Sequence, residues 1–142
     1  HKLCPLDERF DKAYFISLIR NLKKDISAKA LLATEQRIPG LGNGVCQDIL
    51  FNARISPKRK ISTLSEEDTD RLFNTVKSTL KEMIRQGGRD TEKDLYGALG
   101  NYRTILSKNT YHAPCPICGE RIQKEAYLGG SIYYCPHCQR ER

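Results

Sequence analysis

Four cysteines near the C-terminus carry the spacing of a metal site. In "CPICGERIQKEAYLGGSIYYCPHC", Cys115 and Cys118 form one Cys-x2-Cys knuckle and Cys135 and Cys138 a second, with sixteen residues between them. Zn2+ takes four soft ligands in a tetrahedron, and each knuckle lets two thiolates converge while the chain turns back on itself. Four thiolates close the coordination shell, so the expected ion is a single structural Zn2+ and not a catalytic ion with an open position. Two other readings stay open on the residues alone. His137, inside the second knuckle, can replace a thiolate, and a Cys-x-x-Cys pair can do redox chemistry, although paired motifs without a βαβ pattern argue for metal. Cys4 and Cys46 stand apart from this cluster. Cys46 falls on the apolar face of a predicted helix, as a buried structural thiol does.

A second stretch suits an anion. "RIPGLGNGVCQDIL" runs from Arg37 to Leu50 and packs glycines, a proline and an asparagine ahead of an amphipathic pattern. Pro39 disfavours helix at Ile38, Gly40 and Gly42 permit positive φ, and Asn43 is a favoured helix N-cap. The stretch therefore predicts two tight turns between two helices, with the second helix starting outward. Unpaired N–H groups and the positive end of the helix dipole make such a start a phosphate site. Asn43 can cap the helix with its oxygen or donate its amide to a ligand. An ordinary helix connection with glycine caps accounts for the same residues. A P-loop is excluded, because no Gly-Lys-Ser/Thr follows the glycines.

The elements that must hold these residues are mostly helical. Phe15, Leu18, Ile19 and Leu22 recur at helical spacing, with Asp7 as the expected N-cap. Ala28 to Thr34 predicts a short second helix. Cys46, Ile49, Leu50 and Ala53 repeat the spacing after the glycines, and Ile55-Ser56-Pro57 stops that helix. A longer helix runs from the Ser65 capping box to Gly87-Gly88, burying Leu72, Val76, Leu80, Met83 and Ile84. Residues 89–114 suggest a short helical turn near Leu95 to Leu99, then a linker into the ribbon. In the cysteine region "RIQKEAY" and "SIYYC" are strand-forming, with Leu128-Gly129-Gly130 as the hairpin turn.

The chain has 142 residues, 39% of them hydrophobic, which suits one compact domain or a main domain with a small satellite. No apolar run approaches the roughly 20 residues of a membrane helix, and the start has no secretory signal, so a soluble, intracellular protein with no membrane partner is expected. The chain opens on His1 and not Met, as a fragment of a longer protein would. Twenty-four Lys and Arg against seventeen Asp and Glu give a formal charge of +7, which favours a polyanionic partner. "NLKKDISAK" (Asn21 to Lys29) and "RISPKRK" (Arg54 to Lys60) bracket the glycine stretch and predict an electropositive rim around it.

Taken in order, "RIPGLGNGVCQDILFNARISPKR", the amphipathic helix ending in "QGG" and the ribbon closing in "YYCPHCQ" resemble the C-terminal half of the formamidopyrimidine-DNA glycosylase and endonuclease VIII family. The resemblance spans most of the chain. It implies a mainly α fold: a helix-two-turn-helix DNA-binding bundle over residues 1–110, then a small Cys4 zinc ribbon, a β-hairpin, over 111–142. The family comprises bacterial base-excision-repair enzymes that excise oxidised bases and cleave the abasic strand by β- and δ-elimination. The implied partner is double-stranded DNA with a damaged base or abasic site, bound by a monomer in the bacterial cytoplasm with the nucleoid. By resemblance Asn43, flanked by Gly42 and Gly44, contacts the DNA phosphate backbone, and Lys29 stands where members tend to be basic.

Two departures from the family matter. Its catalytic proline and glutamate lie in a separate N-terminal β-sandwich, whereas this chain begins His1-Lys2. The chain itself is therefore expected to contain no catalytic residue and to bind DNA without excising a base. Many members place a phosphate-gripping arginine five residues before the third cysteine, where this chain has Gly130. Gly129, Gly130 and Ser131 can still offer backbone N–H groups and a hydroxyl, without the guanidinium's bidentate fork. Base-flipping enzymes clamp the strand by its phosphates, so the helix start and the hairpin would be two grips. Arg121, Lys124, Arg140 and Arg142 would offset the charge of a Zn(Cys)4 centre and add backbone contacts, or serve as solvated surface charge. A non-catalytic DNA-binding module and a zinc-ribbon protein-interaction module are the alternative functions.

Overall fold

The computed structural model describes residues 3, 5, 7–33, 38, 43–85, 105–106 and 110–139. Their order is α1 (Lys12–Arg20), α2 (Ala28–Ala33), α3 (Asn43–Ala53), a 3-10 turn (Ile61–Thr63), α4 (Glu66–Arg85), β1 (Gln123–Tyr127) and β2 (Gly130–Tyr134). Gly40, Gly42, Cys4, the stretch around Leu95 to Leu99, Arg140 and Arg142 lie outside the described residues, as do the side chains of Asn43, Met83 and Ile84.

The helices form where the apolar spacing predicts, with two corrections at their ends. α1 is capped by Asp11, whose carboxylate accepts the Tyr14 N–H at 2.9 Å. The expected cap, Asp7, instead accepts the Arg9 N–H at 2.8 Å and pairs with its guanidinium. A turn from the Phe10 N–H to the Asp7 carbonyl buries Phe10 completely and postpones the helix. α3 ends one step ahead of the expected stop. The Arg54 N–H bonds to the Phe51 carbonyl at 3.1 Å and the Ile55 N–H to the Leu50 carbonyl at 3.0 Å, the pairing of a Schellman motif. Arg54 takes the left-handed position of that motif, at φ 61°. Ile55 and Leu50, both fully buried, complete its apolar contact.

The capping box at α4 forms as read. The Ser65 hydroxyl accepts the Asp68 N–H at 3.0 Å, and the Asp68 carboxylate accepts the Ser65 N–H at 3.2 Å. Leu72, Val76 and Leu80 from α4 join Phe10, Phe15, Leu31, Leu32, Ile49 and Leu50 in one core. Residues 57–61, after α3, lie against the start of α2. The Ala28 and Lys29 N–H groups donate to the carbonyls of Arg59 and Pro57, at 2.8 and 3.0 Å, and so find the partners that a helix start lacks.

A second core belongs to the ribbon: Ile122, Tyr133, Cys115 and Cys135, closed by Leu106 and by Phe51 of α3. β1 and β2 pair antiparallel, with Tyr127 opposite Gly130. The hairpin turn is therefore the two residues Leu128 and Gly129, at φ 51° and 79°, a type I′ turn. Gly130, expected in the turn, is the first residue of β2.

Candidate nucleic-acid interface and metal centre

The knuckles bring the Sγ atoms of Cys115, Cys118, Cys135 and Cys138 within 4.8 Å of one another. The Cys118–Cys135 and Cys115–Cys138 pairs are 3.4 and 3.9 Å apart. A tetrahedral ion with Zn–S bonds of about 2.3 Å needs edges of roughly 3.8 Å, so the donor set fits. The four thiols could hold a metal ion, and His137 is not among the clustered donors. Gly119, at φ 80°, lets the first knuckle close. The Ile117, Glu120 and Cys138 N–H groups point at the Cys115, Cys118 and Cys135 sulfurs at 3.4 to 3.5 Å. Burial alone would raise the Cys115 thiol, but the Cys118 and Ile117 N–H groups, with the Cys135 and Cys118 thiols, bring it down to about 7. Burial and the neighbouring thiols push Cys138 up to about 12. Cys46 is buried outside the cluster, and desolvation lifts its thiol to about 12 despite nearby Lys29, in keeping with a structural role.

α3 is the element that joins the two cores. One face, with Cys46, Ile49, Leu50 and Ala53, packs into the helical core. The other carries Gln47, Asp48 and Phe51 to the ribbon side. Gln47 is buried, and its amide bridges the outer edge of β2: Nε2 donates to the Ser131 carbonyl at 2.8 Å and Oε1 accepts the Tyr133 N–H at 3.1 Å. It thus takes the place of a third strand. The buried Asp48 carboxylate accepts the N–H groups of Ile105 and Leu106, each at 3.0 Å. Past the helix end, Gln139 donates to the Ile55 carbonyl at 3.1 Å and accepts the Cys135 N–H at 2.9 Å. Lys58 pairs with Glu125 at 3.2 Å, and Glu125 also accepts the Tyr134 hydroxyl.

α3 and β2 consequently run side by side in the same direction, with residue 47 beside 131–133 and residue 55 bound to 139. The start of α3 and the hairpin tip share one end of the molecule; the knuckles lie at the other. Asn43 is the first residue of α3, one place inside the expected cap, and Gly44 follows it. Lys29 is buried in α2, 3% exposed, and its ammonium donates to the Tyr127 carbonyl at 2.6 Å, beside the hairpin turn. Desolvation lowers its pKa. Gly130 and Ser131 begin β2 next to that turn.

Arg54, Lys58 and Arg59, expected to rim the junction, are placed or engaged elsewhere. Arg54 sits at the far end of α3, about 16 Å from its start at 1.5 Å per residue. Arg59 is buried and bound to Asp68 at 2.9 Å, and Lys58 is engaged by Glu125. Gln47, Asp48, Gln139 and the Lys58–Glu125 pair are absent from the sequence reading. Their signal was present: residues 47, 48 and 51 form a second helical face, and the apolar Phe51 falls on it.

A small helical domain whose third helix, α3, carries a tetrathiol hairpin defines a helical module with an attached ribbon-like unit. Comparison with known sequences makes this specific. The family described as "Formamidopyrimidine-DNA glycosylase H2TH domain" matches residues 3–94, and the chain belongs to it. The formamidopyrimidine-DNA glycosylase of Pelotomaculum thermopropionicum is 35% identical over 139 residues, covering 96% of this chain and 50% of its own. The MutM (Fpg) protein of Thermus thermophilus superposes with a TM-score of 0.85 at 29% identity, covering 97% of this chain and 53% of that one. Lactococcus lactis Fpg, solved in complex with DNA containing an abasic site, gives 0.81 at 26% identity, covering 98% and 51%. The chain spans about half the length of the relatives it matches.

Proposed function

We propose that this chain is the DNA-binding portion of a bacterial base-excision-repair glycosylase and AP lyase acting on oxidised bases. The excision chemistry is assigned to the part of the relatives' length that the chain does not span. Residues 1–110 are the helical DNA-binding domain, residues 111–142 the ribbon, and a monomer binds duplex DNA at a damaged base or abasic site. The observation that carries this reading is the shared end: the hairpin, close to its tip, is held to α3 by Gln47 and to α2 by Lys29. Two phosphate grips on one strand require that arrangement. Asn43, with the backbone at Gly42 and Gly44, supplies the first grip at a helix start, where N–H groups and dipole favour an anion. Gly130 and Ser131 supply the second, and Lys29 adds positive charge behind the tip.

The four thiolates hold one Zn2+, whose part is structural: it folds a two-stranded hairpin too small to hold itself. The test of the DNA reading is affinity for an abasic-site duplex against an intact duplex of the same length, by fluorescence anisotropy. Tighter binding to the abasic duplex, lost in Asn43→Ala, supports it. Equal affinity for both, unaltered by Asn43→Ala, contradicts it.

A further inference from the structure

Leu128 is the least expected residue at the hairpin tip. A type I′ turn needs positive φ at both central residues, which Asn and Gly adopt readily and a branched aliphatic side chain does not. Leu128 nevertheless sits at φ 51°, and its side chain stands in solvent, with the residue 53% exposed. Only one other large hydrophobic residue among those described, Ile117, is exposed to this degree, and it lies at the opposite, knuckle end. The tip is also fastened from behind on both strands. Lys29 donates to the carbonyl of Tyr127 immediately before the turn, and Gln47 bridges Ser131 and Tyr133 just after it. Both anchoring side chains are buried. A strained, exposed apolar residue on a rigid mount is what a site looks like when conformational energy is spent on presenting a side chain.

The inference rests on the DNA-binding reading above. On that reading Leu128, exposed in the turn next to Gly130, stands beside the proposed phosphate grip at Gly130 and Ser131. Proteins that open base steps insert apolar wedges of this type, and a missing or unstacked base leaves them a void to fill. We propose that Leu128 is an apolar wedge that seats where a base is missing or unstacked, and that it contributes the preference for damaged over intact duplex. Polar tip residues would gain nothing from such a void, because it offers them no fixed partner.

Leu128→Asn and Leu128→Gly test this, because both favour the type I′ turn. They are expected to raise the urea midpoint of unfolding while weakening abasic-duplex binding about tenfold, the worth of burying the exposed part of a leucine side chain. Affinity for intact duplex stays within about twofold, as the phosphate contacts are untouched, and Leu128→Met, which keeps an apolar tip, retains the abasic preference. A merely structural role cannot move stability and affinity in opposite directions. Leu128→Asn and Leu128→Gly binding the abasic duplex as well as the unaltered chain does overturns the wedge and leaves the DNA reading standing. An unaltered chain that does not prefer the abasic duplex overturns the reading, and the wedge with it.

Discussion

Arg54 and Leu128 are the two non-glycine residues found at positive φ among those described, and they stand at opposite ends of the α3–hairpin unit. Arg54 occupies the position of a Schellman motif where glycine is usual, because the chain must reverse there to send Ile55 back onto Leu50. A left-handed conformation costs an L-residue about 1–2 kcal/mol. Arg54→Gly is therefore expected to stabilise the fold by about 1 kcal/mol, part of the relief being offset by the greater freedom of glycine in the unfolded chain. Urea denaturation followed by far-UV circular dichroism measures it; an unchanged or lowered midpoint would mean that the Arg54 side chain contributes more than its backbone strain costs. Lys29 teaches a different lesson at this scale. Its basic character was legible, but its place was not: the ammonium is buried against a carbonyl 98 positions along the chain, a pairing no local pattern reveals.

Among the elements, the ribbon depends most on something other than its own packing. Its core is small and is completed by Phe51 and Leu106 from outside the hairpin, whereas the helices share a larger apolar cluster of their own. Chelation of the proposed Zn2+, or Cys135→Ser, is expected to remove amide protection from residues 123–134 while most of the helical circular dichroism persists. Cooperative loss of both signals would show that the ribbon is integral to the helical core. The ribbon was also the most legible element, because ligand spacing, strand residues and a glycine turn all point the same way. α3 was half legible. Cys46, Ile49, Leu50 and Ala53 announced the face that enters the helical core. Gln47 and Asp48 drew no reading, because their partners, Ser131, Tyr133, Ile105 and Leu106, are distant in sequence. Asp7 and Asp11 illustrate the limit at helix ends: each is a competent cap, and the burial of Phe10 between them decides which one is used.

For the whole molecule, α3 is a spine. Its start lies at the hairpin tip through Gln47, and its end lies at the second knuckle through Gln139. Helical core, cysteine cluster and tip are thereby fixed relative to one another mainly by buried hydrogen bonds, with the partly exposed Lys58–Glu125 pair contributing little. On the proposed function, this division sets aside one end of the molecule for DNA and leaves the knuckles at the other. Backbone amide hydrogen exchange with and without an abasic-site duplex tests that division most directly. The account predicts added protection at residues 43–47 and 127–133 together, with α1 and the knuckles at residues 115–119 unaffected. Protection centred on the knuckles or on α1, or confined to only one of the two grips, would contradict it.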